Sequence, residues 1–305
     1  MRIGDGLHYG LRPASRLWYP VAMDAVCEPS YEESIDAGGV ALHVEHFSPA
    51  VPTRLVLVTV HGFGVHCGLY RHVAGAMIAR GIAVTQFDCR GHGRSEGRRG
   101  HVDRFDDYHV DLSLVARRAR ERTPRVPWAL MGHSLGGAIV LDYVLRRQSQ
   151  PQPDLLVAAA PWLELEMKVS MPKRAAAEVF ARLSPTLTME NGIKAEDMSR
   201  SPAVVANLLR DPLVHHVATA GWFAGVLRTQ AALRLMAAQL PVPTLILVAG
   251  QDRIVSTEAS LAFAQASGST AEVRRYESLY HELFLEPERE QVVHDVANWL
   301  LQLRA

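Results

Sequence analysis

The sequence predicts an α/β fold in which a mostly parallel central sheet is covered by helices on both faces. Two observations predict it. The 305 residues are 48% hydrophobic, which provides for a sizeable core, and short apolar runs alternate with helical patterns along most of the chain. Near-continuous apolar strands of this kind are typical of parallel strands that are buried on both faces. Basic and acidic residues number 32 each, so charge gives no argument for a nucleic-acid partner.

The predicted strands begin with an alternating pair. Residues 31–37 (YEESIDA) and 40–47 (VALHVEHF) are separated by Gly38-Gly39, which predicts a β-hairpin. Apolar or β-branched runs then predict strands at residues 55–60, 82–88, 127–132, 154–160, 243–250 and 272–277.

One predicted helix spans residues 102–122. Aspartates in its first turns and arginines in its last turn match the helix dipole, so this acidic cluster needs no metal ion to explain it. Its apolar residues recur at helical spacing: Phe105, Tyr108, Leu112, Val115 and Ala119.

The alternation of strands and helices fails between residues 161 and 235, where runs rich in Ala, Leu and Met predict helices and no convincing strand. We therefore predict an N-terminal extension (1–30), a core (31–160 and 236–305) and an inserted group of helices, here called the cap (161–235). The three cysteines lack CxxC spacing, which argues against a disulfide framework or a zinc site. No signal peptide or long apolar run is found, and this predicts a cytoplasmic protein.

The segment GHSLG, residues 132–136, is a G-x-S-x-G pentapeptide. A predicted strand enters it and an apolar helical pattern leaves it, which is the context of a nucleophile elbow. Glycines flank the serine in such a turn because Cβ atoms would collide with the neighbouring strand and helix. We therefore predict that Ser134 is a nucleophile.

A serine hydroxyl needs a base, and the base needs a carboxylate. His281 follows the last predicted strand, at the edge where the carboxyl ends of parallel strands meet. Asp252 ends the strand before it, so the order Ser134, Asp252, His281 is that of a hydrolase triad on a parallel sheet.

Acyl chemistry also needs N–H donors for the developing oxyanion. The backbone N–H of Leu135 is one candidate, and the loop HGFG after the first long strand offers the N–H of Phe63 as the second. His61 in the same loop has two interpretations, a hydrogen-bonding support for the loop, which we favour, or a substrate contact.

Several motifs in sequence order carry a family resemblance: HGFGVHCGLY, FDCRGHGRSEGRRGHVDRFDDYHVDL, GHSLGG, DPLV, PTLILVAGQDRIV and YHELFLEPERE. Over residues 31–305 the chain resembles the monoacylglycerol lipase/lysophospholipase family of serine α/β-hydrolases. The resemblance implies an α/β-hydrolase fold with a helical lid inserted after the sixth strand, a triad of Ser134, Asp252 and His281, and cleavage of single-chain acyl esters without a cofactor or metal.

The residues leave other functions open. Lysophospholipase or general carboxylesterase activity uses the same machinery, and so does amide or peptide cleavage if a carboxylate binds an α-amino group. If the chain were a non-catalytic binding protein on this scaffold, at least one triad residue would be expected to be missing. The sequence contains all three.

The cap is also the predicted source of an acyl pocket and of contacts with a membrane or micelle surface. For any one of its apolar residues, a place in the helical core is the competing interpretation. The candidate lining residues are Met167, Met171, Leu183, Leu187, Trp222, Phe223, Val226 and Leu227.

Overall fold

The structure is a computed structural model that describes residues 27–146, 152–167 and 171–302. Most of the predicted N-terminal extension, residues 1–26, lies outside the described residues, and so do the side chains of residues 171–174 and 176.

Ten strands are found in the described residues: β1 (Tyr31–Asp36), β2 (Ala41–Phe47), β3 (Leu55–Val60), β4 (Ile82–Phe87), β5 (Trp128–His133), β6 (Leu155–Ala159), β7 (Thr188–Glu190), β8 (Val217–Thr219), β9 (Thr244–Ala249) and β10 (Ala271–Tyr276). The α-helices of the same residues are α1 (Arg71–Ile78), α2 (Asp106–Glu121), α3 (Leu135–Arg146), α4 (Met171–Leu183), α5 (Ala195–Met198), α6 (Pro202–Arg210), α7 (Ala220–Met236), α8 (Thr257–Ser267) and α9 (Arg289–Gln302). Short 3-10 turns occur at Cys67–Tyr70, Ala237–Gln239 and Gly268–Thr270.

Eight of these strands form the central sheet, in the order β1-β2-β4-β3-β5-β6-β9-β10. Strand β2 runs antiparallel to both of its neighbours, and the pairs from β4 to β10 are parallel. Every residue of β5, β6 and β9 is buried, as parallel strands covered on both faces require. The predicted α/β fold and the hairpin at Gly38-Gly39 are confirmed.

Two groups of helices cover the sheet. Helix α1 packs against β4 and α9, whereas α2 packs against β3 and α3. The prediction was wrong about where α2 begins, which is Asp106 and not Val102. The Asp107 carboxylate accepts the Arg104 N–H at 3.0 Å where the helix begins. The loop before it contacts the insertion through a bond of 2.8 Å between His101 Nδ1 and Thr219 Oγ1.

The segment between β6 and β9 contains the helices α4 to α7, and the helical pattern of the sequence is confirmed there. The expectation that it has no strand was wrong, because β7 and β8 pair antiparallel as a second, two-stranded sheet. Each has three residues, which is too short to show an alternating pattern. Helix α4 packs against α7, and α7 packs against α3 of the core.

The topology brings the predicted site residues to one edge of the sheet. The loop with Phe63 follows β3, Ser134 follows β5, Asp252 follows β9 and His281 follows β10. These strands are parallel, so all four loops lie at their carboxyl ends. None of the described helices is both long and apolar enough to span a membrane.

Candidate active site

Ser134 occupies the turn between β5 and α3 in a strained conformation. Its φ is 55°, a left-handed value that a non-glycine residue rarely adopts and that costs about 1–3 kcal/mol. Backbone hydrogen bonds hold it there: the Ser134 N–H donates to the Ala159 carbonyl at 2.9 Å, and the Ser134 carbonyl accepts from the Trp162 N–H at 3.0 Å. The elbow that the sequence predicts is therefore present.

Close packing explains the glycines of the pentapeptide. A Cβ on Gly136 would lie 2.1 Å from the carbonyl oxygen of Val60, and a Cβ on Gly132 would lie 2.1 Å from the carbonyl oxygen of Gly136. Both obstacles are backbone atoms that cannot turn away. The predicted reason for these two glycines, lack of space for a Cβ, is confirmed.

His281 and Asp252 form a direct pair. The Nδ1–H of His281 donates to Asp252 Oδ2 at 2.8 Å, and both side chains are buried. The second carboxylate oxygen accepts from the backbone N–H groups of Ile254 at 2.8 Å and Val255 at 2.9 Å, which fixes the carboxylate. An ionised carboxylate only accepts, so the proton of the neutral imidazole is on Nδ1 and Nε2 is left as the basic atom.

The electrostatics of His281 favour its charged form. Burial alone lowers the pKa of this imidazole, but the Asp252 carboxylate, through its charge and its hydrogen bond, together with the Glu282 carboxylate, outweighs burial and raises the pKa above its ordinary value. The side chain is therefore prepared to accept a proton in the buried site.

Ser134 and His281 line the same small cavity. Its remaining walls are Gly62, Phe63, Trp162, Ile193, Met198, Ile254 and Glu282. The structure thus brings the predicted nucleophile, the predicted base and one predicted oxyanion residue to a single, mostly apolar space.

The predicted oxyanion donors flank the serine. A Cβ on Gly62 would lie 3.4 Å from the Cβ of Ser134, so the loop that carries Phe63 packs directly against the nucleophile. Leu135 is the first residue of α3, where N–H groups have no partner within the helix. In the part of the chain that the structure describes, neither the Phe63 N–H nor the Leu135 N–H donates to another protein group.

His61 supports this loop. Its Nδ1 bonds to the Gly62 carbonyl at 2.7 Å, and its Nε2 accepts from the Cys89 N–H at 2.9 Å. Burial lowers the pKa of His61, which keeps it neutral. His61 does not line the Ser134 cavity, so its predicted substrate contact is not seen and the loop-supporting interpretation fits the structure.

The predicted acyl-pocket residues do not line this cavity. Leu183 and Leu187 are exposed, with 77% and 39% of their surface accessible. Trp222 and Val226 are buried in the core, where the Trp222 ring stacks on Phe63 at 3.9 Å between centroids. The others are the half-buried Met167, Phe223 and Leu227, and Met171, whose side chain lies outside the described residues. The helical pattern of apolar residues in the sequence did not distinguish residues of the protein core from residues that line the cavity.

Sequence reasoning missed five lining residues: Trp162, Ile193, Met198, Ile254 and Glu282. For two of them a signal existed, because Trp162 follows β6 and Ile254 follows Asp252, both at the carboxyl ends of parallel strands. Ile193 lies in irregular backbone of the insertion, and Met198 ends α5, a helix of four residues that is too short to show a periodic pattern.

Two groups of side chains in the described residues bring three potential metal ligands together: His43, Cys67 and Asp88, and Glu32, His43 and Glu45. Both oxygens of Asp88 already accept backbone N–H groups, from Cys67 and Arg94, each at 2.7 Å. Glu45 is paired with Arg71 at 2.5 Å. None of these residues lines the Ser134 cavity, so we assign them to the support of the fold.

Comparison with known proteins identifies a family and several relatives. Residues 51–288 match the profile of the family described as "Serine aminopeptidase, S33". The monoacylglycerol lipase of Mycolicibacterium smegmatis is 33% identical over 266 residues, which cover 87% of this chain and 94% of that protein. The phospholipase YtpA of Bacillus subtilis is 29% identical over 78% of this chain and 91% of its own length.

A solved structure extends the match to three dimensions. The crystal structure of the monoacylglycerol lipase of Paleococcus ferrophilus superimposes with a TM-score of 0.78 at 28% identity, over 86% of this chain and 98% of that one. The fold and the comparisons together define a serine ester hydrolase of the α/β-hydrolase fold. Within that class, the chain belongs to the monoacylglycerol lipase family.

Proposed function

We propose that this protein cleaves the carboxylic ester bond of single-chain lipids of the monoacylglycerol type, through an acyl-enzyme on Ser134. The observation that carries the proposal is the 2.8 Å bond between His281 and Asp252 at the sheet edge where Ser134 stands in its strained turn. A serine, a base and a carboxylate in these positions are the parts that acyl transfer requires.

The reaction has two halves. In the first, His281 Nε2 takes the proton of the Ser134 hydroxyl as the oxygen attacks the ester carbonyl carbon, and the N–H groups of Phe63 and Leu135 stabilise the oxyanion. The tetrahedral intermediate then expels the alcohol, which receives the proton from His281. In the second half, His281 takes a proton from water, whose oxygen attacks the acyl carbon, and Ser134 leaves with the proton.

The walls of the cavity beside Ser134 favour an uncharged ester over a charged one. Phe63, Trp162, Ile193, Met198 and Ile254 give it an apolar lining. The described lining contains no Lys or Arg, the residues that would pair with a phosphate. This favours glycerol over a glycerophospho group as the leaving alcohol.

Amide cleavage of an α-amino substrate has weaker support. Such a substrate needs a free carboxylate, and the acidic residue in the described lining is Glu282. Its carboxylate is buried and already accepts a hydrogen bond from the Tyr70 hydroxyl, with 2.9 Å between the two oxygens. We therefore favour an ester substrate.

The insertion supports a lid that contacts lipid surfaces. Val179, Phe180 and Leu183 on α4 and the nearby Leu187 expose 53%, 41%, 77% and 39% of their surface. Apolar side chains gathered on one exposed face suit contact with a membrane or micelle. We propose that residues 161–235 are this lid and that the contact is transient and peripheral.

A hydrolysis panel tests the proposed substrate. Purified protein is assayed with monoacylglycerols of several chain lengths, lysophosphatidylcholine, diacylglycerol, a p-nitrophenyl ester and an aminoacyl amide. We expect kcat/KM to be highest for a monoacylglycerol and about tenfold or more lower for the lysophospholipid. Ser134→Ala serves as the blank. Highest activity on the lysophospholipid or the amide would contradict the proposal.

A further inference from the structure

Glu282 is a second buried carboxylate beside the predicted base. It follows His281 in the chain, its surface is 1% exposed, and it lines the cavity that contains Ser134. A buried carboxylate is costly to the fold unless other groups compensate it. The reaction as described above gives this residue no task.

The contacts of Glu282 reach three other elements: the turn before α1, the end of α5 and the end of β5. The Tyr70 hydroxyl bonds to its carboxylate at 2.9 Å, and its backbone N–H donates to the Met198 carbonyl at 2.8 Å. The Nδ1 of His133, the residue before Ser134, lies 3.6 Å from Glu282 Oε1. The other ring nitrogen of His133 donates to the His281 carbonyl at 2.9 Å.

Charged and titratable groups reach this point from several elements. Asp252 comes from the loop after β9, His133 from the end of β5, His61 from the end of β3 and Tyr70 from the turn before α1. Burial lowers the pKa of His133 and of His61, so both are neutral near pH 7. Of these groups, the carboxylates of Asp252 and of Glu282, which lines the same cavity as His281, therefore carry the charge that acts on a protonated His281.

We propose that Glu282 is a positioning residue that acts through His281: its buried carboxylate, held by Tyr70, stabilises the imidazolium that forms when His281 takes the proton of Ser134. The proposal rests on the proposed serine-hydrolase function. Asp252 orients the ring through a hydrogen bond, whereas Glu282 contributes charge from the same loop as the base.

The sign of the effect follows from the electrostatics. Burial lowers the pKa of His281, and the Asp252 and Glu282 carboxylates raise it. His281 must be neutral to act as a base, so activity is lost as the pH falls through this pKa. Loss of the Glu282 charge lowers the pKa. The acid limb of the pH profile then moves to lower pH, and the weaker base slows the reaction on the plateau.

The test measures the rate of Ser134 labelling by a fluorophosphonate between about pH 4 and about pH 9. Glu282→Gln keeps the shape of the side chain and an acceptor for Tyr70 but removes the charge. Glu282→Ala removes the charge together with the rest of the side chain beyond Cβ. Glu282→Asp keeps the charge. The matched control is Glu277→Gln, which removes an acidic side chain that is 73% exposed.

We expect the acid limb to move to lower pH in Glu282→Gln and Glu282→Ala, and the plateau rate to fall roughly three- to tenfold. The limb stays near its wild-type position in Glu282→Asp and in the control. An unmoved limb in a neutral variant that melts cooperatively overturns the proposal, and so does an equal movement in Glu277→Gln. Wild-type protein that is not labelled at Ser134 refutes the proposed function itself.

Discussion

The sheet edge and the exposed face of α4 differ in the environment of their side chains: polar groups are buried at the edge, and apolar groups are exposed on α4. At the edge, buried polar groups are held by specific bonds, as Asp252 is by His281 and two backbone N–H groups. On α4, the apolar Phe180 and Leu183 remain 41% and 77% exposed. The side chains proposed for catalysis are therefore fixed by hydrogen bonds inside the fold. The side chains proposed to contact lipid lie on a surface that stays exposed.

The two regions are nevertheless joined. Glu286, which is fully buried in the loop between β10 and α9 that also carries His281, accepts hydrogen bonds from the Ser199 hydroxyl at 2.7 Å and the Arg200 N–H at 2.6 Å. Met198, next to them in the insertion, lines the Ser134 cavity. The part of the insertion next to the site is therefore also held by hydrogen bonds to a buried carboxylate, and the exposed face lies elsewhere on the insertion.

The largest expected effect is at the sheet edge. Asp252→Asn replaces the acceptor of the His281 Nδ1–H with an amide that favours the wrong tautomer, so we expect kcat/KM for a monoacylglycerol to fall by roughly 10³ to 10⁴. The control is Asp103→Asn, whose carboxylate is 91% exposed and which should change the rate by less than about twofold. A loss smaller than about tenfold in Asp252→Asn would count against the role of this pair.

The next effect concerns the backbone that holds the serine. Gly136→Ala places a Cβ 2.1 Å from the Val60 carbonyl oxygen, so we expect the free energy of unfolding to fall by about 3 kcal/mol. Gly225→Ala in α7 is the control, because no atom lies within 4 Å of its added Cβ. Alanine favours a helix by about 1 kcal/mol over glycine, so this variant should be as stable as wild type or more stable. Equal urea stabilities of the two variants would show that the elbow is not tightly packed.

The smallest effect belongs to the exposed face. Leu183→Ser removes an apolar side chain of the proposed lid surface, and we expect binding to phospholipid vesicles to weaken about three- to fivefold. Hydrolysis of a dispersed short-chain ester should stay within about twofold of wild type. Val51→Ser removes another exposed apolar side chain (53% accessible), outside the insertion, and should leave vesicle binding unchanged. Equal binding of Leu183→Ser and Val51→Ser to vesicles would remove the distinction between the two regions.

The sequence predicts the buried strands and the residues that follow them well. Buried strands such as β5 and β9 are continuous apolar runs, and the residues that follow them reach one edge of a parallel sheet. The placement of Ser134, Asp252 and His281 together follows from that topology. The start of α2 did not follow, because the spacing of apolar residues does not show that the Asp107 carboxylate binds the Arg104 N–H at that point.

The lining of the cavity was less predictable, for a physical reason. A helical pattern of apolar residues is the same whether the face packs on protein, as Trp222 does on Phe63, or stays exposed, as Leu183 does. Ile193 reaches the cavity from irregular backbone and Met198 from the four-residue helix α5, and neither leaves a periodic pattern in the sequence. Glu282 was missed because a single charged residue beside a histidine has no pattern at all.

The most direct measurement asks which atom carries the acyl group. Wild-type protein and Ser134→Ala are mixed with a fluorophosphonate that mimics an acyl ester, and the adduct is located by mass spectrometry of the digested chain. We predict one adduct, on the peptide that contains Ser134, with loss of ester hydrolysis in step with labelling and neither adduct nor hydrolysis in Ser134→Ala. An adduct on another residue, or hydrolysis that survives in Ser134→Ala, would contradict the account.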